Sequence, residues 1–227
     1  MHFSTRILAL SLLGGVAFAV PAAADPVSGQ VGVASEYVGK GLGKSDEQPA
    51  AFGSVRWETG GFYASGFVSQ AASTRGADAE VILSAGYQRE LIGLDVDILV
   101  MRREMAGESR GIDSGYFEFQ ADFSRDLTDR INARLRVNYS PDTYGAVDAA
   151  WWSEVQASFK LTSADKLSAA YALRRMDNSL TYDAWNIGVK HKFTPAIAAD
   201  VRWYDTDRHD VGVRYAGRLV ASLSYSF

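Results

Sequence analysis

The chain contains no cysteine, so neither a disulfide nor a thiolate metal centre can brace it. Histidine is almost as scarce: of the three, His2 sits in the first few residues, leaving only His191 and His209. Five prolines in 227 residues leave no Pro-rich linker along which the chain could divide. Basic charge is not in excess either. The formal net charge is −4, and −5 if Arg6 is removed with a leader, which argues against a nucleic-acid partner. After residue 24 no apolar run reaches the length of a spanning helix, so any membrane crossing would have to use strands.

What is present begins with a leader-like segment. "MHFSTRILALSLLGGVAFAVPAAADP" carries Arg6, an apolar run from Ile7 to Ala19 and the small residues Ala22, Ala23 and Ala24. This is the pattern of a secretory signal cut before Asp25, with residues 1–24 as signal peptide and 25–227 as a single domain.

Beyond it, apolar residues recur at every second position. In "RINARLRVNYS", Ile131, Ala133, Leu135, Val137 and Tyr139 alternate with Asn132, Arg134, Arg136 and Asn138, as a half-buried strand requires. The same rhythm predicts about twelve strands, near 30–38, 51–58, 62–69, 79–88, 94–102, 116–124, 130–139, 151–161, 166–174, 183–193, 197–205 and 211–227. The connections alternate too. Short links such as "TGG", "RELIG", "RDLTD", "TSAD" and "TPA" are interleaved with longer polar ones such as "GKGLGKSDEQP" and "SPDTYGAVDA". Alternation alone would equally suit a water-soluble sandwich with its apolar face inward. Sorted loops, an export signal and an apolar final strand favour an all-β, antiparallel, up-and-down transmembrane barrel. Its short turns would face the periplasm of a Gram-negative cell and its longer loops the outside.

Aromatic spacing points the same way. Trp57, Tyr87, Phe123, Phe159, Phe193 and Phe227 lie 30, 36, 36, 34 and 34 residues apart, as one hairpin repeated around a ring. They form the expected periplasmic rim of a membrane-interface girdle, with Tyr37, Tyr139, Tyr171 and Trp203 at the opposite rim.

The parity that sends apolar side chains to lipid directs charges inward. Glu80, Asp95, Asp97, Glu118 and Asp122 come from strands four to six; Arg174, Lys190, Lys192, Arg202, Arg214 and Arg218 come from strands nine to twelve. In a ring of twelve these groups face each other, and Arg134 and Arg136 stand beside the acidic wall. Twelve strands fall between a filled barrel and an open pore. The expectation is therefore a narrow diffusion path for small polar or zwitterionic solutes, the alternative being a closed barrel with a structural or surface-interaction role.

Motifs for other chemistry are weak. "GKGLGKS" would need glycine at position 38 to match a P-loop, and Val38 stands there; the segment reads as a flexible basic extracellular loop. "YDTDRHD", with Asp205, Asp207, His209 and Asp210, lacks the spacing of a calcium loop and reads as a solvated tip facing surface lipid or lipopolysaccharide. His191 reads as an interfacial residue beside Phe193. No serine, acid or histidine constellation of distinctive spacing is present, so no enzymatic role, cofactor or metal is expected.

The stretch "VGVASEYVGKGLGKSDEQPAAFGSVRWETGGFYASGF" resembles the opening of the TorF-type porin family. The resemblance is carried by Ser35, Glu36, Tyr37, Lys40, Gly41, Ser45, Pro49, Ala50, Gly53, Gly61, Phe62, Tyr63 and Ala64, and extends through "AEVILSAGYQRE", "WYDTD" and "LSYSF". It implies an outer-membrane barrel with a transport role. Lys40 stands where the family usually has arginine, and Gly39 where a bulky residue is common; lysine lacks the bidentate geometry of arginine. The resemblance further implies that Phe227 is the terminal aromatic read by the barrel-assembly machinery, so that replacing it by Asp would impair insertion.

Overall fold

The structure is a computed structural model that describes residues 26–72, 76–109, 111, 113–144 and 147–227; the expected signal peptide over 1–24 lies outside them. The strands are β1 (Val27–Ala34), β2 (Val38–Gly39), β3 (Leu42–Gly43), β4 (Ala50–Thr59), β5 (Phe62–Gln70), β6 (Ala79–Leu91), β7 (Leu94–Ala106), β8 (Gly115–Asp126), β9 (Ile131–Ser140), β10 (Ala150–Lys160), β11 (Asp165–Met176), β12 (Tyr182–Lys192), β13 (Ile197–Thr206) and β14 (Arg218–Ser226). Twelve of them close into one antiparallel barrel. Each strand pairs with its chain neighbours, β4 follows β1, and β14 returns to β1. The remaining two, β2 and β3, form a separate hairpin.

The alternation read from the sequence is present as an inverted core. Ile131, Leu135, Ile98, Val155 and Val201 stand exposed on the outside, while the most deeply buried large side chains are Glu80, Glu118, Thr206, Ser69 and Ser140. A soluble sandwich would show the opposite. An apolar exterior this extensive needs lipid against it, and closure leaves no unpaired sheet edge inside that lipid.

Turns sort by length as expected. At one end the strands are joined by residues 60–61, 92–93, 127–130, 161–164 and 193–196; at the other end the intervals between strands are longer. Three of the short turns use one device. The hydroxyls of Thr128, Thr162 and Thr194 each accept hydrogen bonds from the backbone N–H groups two and three residues on, at 2.9–3.2 Å. Sequence reasoning treated these links only as short; the recurring threonine in "LTDR", "LTSA" and "FTPA" was the sign of a shared geometry.

The link expected over "RELIG" contracts to two residues, because β6 and β7 each run on for 13 residues. Ile92 and Gly93 both take positive φ, 56° and 73°, the conformation of a two-residue hairpin turn. A β-branched residue is strained there, and Ile92 is fully exposed, so its side chain recovers nothing. Ile92→Asn is expected to stabilise the barrel by about 1 kcal/mol, measured as a rise in the urea midpoint in lipid vesicles.

Trp57, Tyr87, Phe159, Phe193 and Phe227 are exposed on the outer face at the short-turn end, and Phe123 is half-buried among them. Phe62 joins the same row, its ring 4.6 Å from that of Tyr87. Phe227 also closes the barrel seam. Its backbone exchanges two hydrogen bonds with Gly29, at 2.8 and 3.0 Å, and its ring occupies the space a Cβ on residue 29 would need.

Three sequence expectations need correction. The first barrel strand ends at Ala34 rather than at 38, because the chain then turns into the lumen. Tyr37 consequently leaves the outer rim: its ring lies 5.9 Å from that of Phe67, and its hydroxyl donates to Glu80 at 2.8 Å. The last strand begins at Arg218 rather than at 211, since two 3-10 turns, His209–Val211 and Val213–Tyr215, precede it. Tyr139, Tyr171 and Trp203 stay on the outer face, the ring of Tyr139 lying 4.5 Å from that of Trp151.

Candidate functional site

The segment read as a flexible extracellular loop is the structural centre of the lumen. Val38 pairs with Gly43 and Gly39 with Leu42, leaving Lys40 and Gly41 as a two-residue turn with φ of 51° and 80°. This hairpin is narrow enough to enter the barrel because glycine stands where side chains would collide. A Cβ on Gly41 would lie 2.6 Å from the Cβ of Ala184 on β12, and one on Gly43 would overlap the Arg218 guanidinium.

The hairpin is fixed by hydrogen bonds and ion pairs. The Tyr37 N–H donates to the Ser45 hydroxyl at 2.9 Å, and that hydroxyl donates to the Gln48 carbonyl at 2.6 Å. Glu36 pairs with Arg218 at the root. At the tip the Lys40 ammonium reaches Glu118, and the Tyr182 hydroxyl donates to the Lys40 carbonyl at 2.9 Å. Lys44 bridges to Glu80 at 2.7 Å. Arg103 links the two buried carboxylates, 2.8 Å from Glu80 and 3.4 Å from Glu118, and Asn138 donates to Glu118 at 3.0 Å. Three cationic groups thus share two buried carboxylates, a network in which each member satisfies the others.

The acidic residues named from sequence divide into two levels. Glu80 and Glu118 belong to the hairpin network, in the half of the barrel toward the long loops. Asp95, Asp97 and Asp122 line a cavity of about 520 Å³ at the short-turn end, together with Glu58 and Arg134. There Asp122 is held bidentately by Arg136 at 2.8 and 2.9 Å, and Asp97 accepts from the Tyr63 hydroxyl at 2.8 Å. Arg134 pairs instead with Glu154 on the neighbouring strand.

The basic residues are less uniform than the expected wall. Arg202 is engaged by Asp200 at 3.1 Å and by Asn186 and Ser168 at 2.7 and 2.9 Å. Lys190 lies opposite Lys166 on one side and Asp200 on the other, with Lys192 following on the same strand. Arg214 sits in a 3-10 turn rather than in a strand and donates to the Ala72 carbonyl at 2.9 Å. Sequence reasoning missed Arg103, Lys40 and Lys44 as lumen residues. It also missed Arg56, whose guanidinium lies 3.4 Å above the Tyr63 ring.

Besides the lower cavity, two spaces flank the hairpin. One of about 320 Å³ opens toward the long loops, lined by Lys40, Lys44, Tyr116, Arg174 and Tyr182 among others. A second of about 190 Å³ lies beside the turn, between Lys40, Arg103, Arg136, Trp152 and Tyr204. Lys40 borders both.

The "YDTDRHD" acids are occupied by neighbours: His209 pairs with Asp205, and Arg208 lies 3.2 Å from Asp210. The hydrogen bond from Arg208 holds the Asp210 carboxyl below its ordinary range. His191 pairs with Asp165 at 2.7 Å and packs against Phe193, with ring centroids 4.7 Å apart, at the short-turn end.

The sequence matches the family model described as "Bacterial protein of unknown function (Gcw_chp)" over residues 19–225. The chain belongs to the Gcw_chp family. No curated relative matches it. Solved structures share the fold at low identity. The KdgM porin superposes with a TM-score of 0.62 at 11% identity, covering 88% of this chain and 99% of that one. The NanC porin gives 0.62 at 13% identity, covering 88% and 98%. The COG4313 outer membrane channel from Pseudomonas putida F1 gives 0.54 at 11%, covering 88% and 94%. A closed antiparallel barrel, of twelve strands in this Gcw_chp chain, is therefore the common architecture.

Proposed function

We propose that this chain is an outer-membrane porin, a narrow channel for passive diffusion of small polar or zwitterionic solutes. The observation that carries the reading is the sequence of spaces inside a barrel whose exterior is apolar: about 320 Å³ toward the long loops, 190 Å³ beside the hairpin turn and 520 Å³ at the short-turn end. The acidic residues of the third space on β7 and β8 face the basic Lys166, Lys190 and Lys192 on β11 and β12 across the ring, which gives a transverse field suited to dipolar solutes. The short turns then face the periplasm, the Trp57 to Phe227 row sits at the inner lipid interface, and residues 1–24 are the export signal. The resemblance of the sequence to TorF-type porins supports the same reading. Of the residues that carry that resemblance, those from Ser35 to Ser45 build the hairpin and its root.

A second reading, a non-conducting barrel with a structural or surface role, is favoured by the Lys40–Glu118 pair that fixes the hairpin across the lumen. Solute flux separates the two. Proteoliposomes carrying the protein are expected to swell in glycine and small sugars faster than protein-free vesicles; identical swelling rates across the panel would reject the channel.

A further inference from the structure

The space between the hairpin and the long loops combines apolar walls with a buried guanidinium that has no acceptor. Leu42, Met105, Met176 and Val147 line it together with the rings of Tyr116 and Tyr182. Arg174 on β11 lines it too, at 6% exposure, and its Nη1 is out of solvent without a hydrogen-bond partner. Among the described residues no carboxylate forms an ion pair or hydrogen bond with it. Glu80 and Glu118 are shared among Lys40, Lys44 and Arg103. Glu108, the other carboxylate on the lining, accepts from the Tyr144 hydroxyl at 3.2 Å. Arg214 adds another cation to the same lining. A guanidinium cannot shed its charge as a lysine can, so burying one without a counter-ion is unfavourable unless an anion completes it.

We propose that Arg174 receives the carboxylate of a small aromatic or branched aliphatic monocarboxylate whose apolar body fills this cavity. The planar fork of arginine matches a carboxylate in two parallel hydrogen bonds. A space of about 320 Å³ with mostly apolar walls and one convergent charge has the character of a small-molecule site. Its role in selecting the transported solute rests on the channel reading; binding itself does not.

The test is therefore binding by the full barrel in detergent, where no open path is needed. Calorimetric titration should show benzoate binding about tenfold or more tightly than its neutral isostere benzamide, as expected for a hydrogen bond to a charged group. Arg174→Met should abolish that preference and raise the melting temperature of the empty barrel, because it removes a buried charge that no carboxylate pairs directly. A purely structural arginine would lower the melting temperature instead. Arg174→Lys, which keeps the charge but loses the fork, should fold and bind benzoate more weakly. Equal affinity for benzoate and benzamide in the unaltered protein, or unchanged benzoate affinity in Arg174→Lys or Arg174→Met, overturns the proposal. Loss of solute flux with benzoate binding intact would overturn the channel and leave the site standing.

Discussion

Replacing residues 38–44 with a short Gly/Ser linker is expected to raise single-channel conductance several-fold and to admit solutes too large for the unaltered barrel. Twelve strands enclose more space than side chains alone fill. In this chain the difference is taken up by the hairpin, whose turn touches Ala184 on β12 and reaches Glu118 on β8. Removing it joins the spaces above and beside the turn into one. The barrel itself should survive, because the hairpin contributes no strand to the closed sheet. Gly41→Val is a milder form of the same test. Its side chain would collide with Ala184, and the positive φ of residue 41 disfavours a β-branched residue. It should displace the hairpin and produce frequent switching between small and large conductance steps. Unchanged conductance in both variants would mean that the hairpin does not narrow the path.

Glu118→Gln is expected to cost about 3–5 kcal/mol of stability, as removal of one member of a buried ion-pair network does. Glu118 is fully buried and faces both Lys40 and Arg103. Neutralising it leaves the Lys40 ammonium deep in the lumen without a partner, while Arg103 retains Glu80 at 2.8 Å. The double variant Lys40→Met, Glu118→Gln should recover most of the loss, since the stranded charge is then gone. Lys40→Met alone should cost less than Glu118→Gln, because Arg103 and Asn138 still hold the carboxylate. Urea unfolding in lipid vesicles measures all three. A double variant as unstable as Glu118→Gln would show that the loss does not come from Lys40.

The barrel was legible because its signal is local. A period of two over ten residues fixes which side chains share a face, as Ile131 to Tyr139 show, and the sorted link lengths with the apolar final strand turn that face to lipid. The hairpin was not legible for a physical reason. Gly39, Gly41 and Gly43 alternate with Lys40, Leu42 and Lys44, and in isolation that pattern reads as a pliant surface loop. What makes it a lumen element lies far away in sequence: the carboxylates of Glu80 and Glu118, and Ala184 and Arg218, against which a glycine fits. The inward parity of Glu80 and Glu118 was readable, and two buried acids next to few basic strand residues were a sign that cations had to arrive from elsewhere. Tyr37 failed for the same reason, since its place on the outer rim assumed that β1 continued past Ala34. Arg214 failed because "DVGVRY" shows strand-like alternation over a stretch that coils into two 3-10 turns around Gly212.

The proposed channel requires water to pass through this barrel beside the hairpin. Single-channel recording of the unaltered protein in a planar lipid bilayer tests it most directly. Discrete, small, ohmic steps that grow when residues 38–44 are replaced are expected; a silent bilayer with both proteins, each verified as folded by its heat-modifiable gel mobility, would contradict the channel.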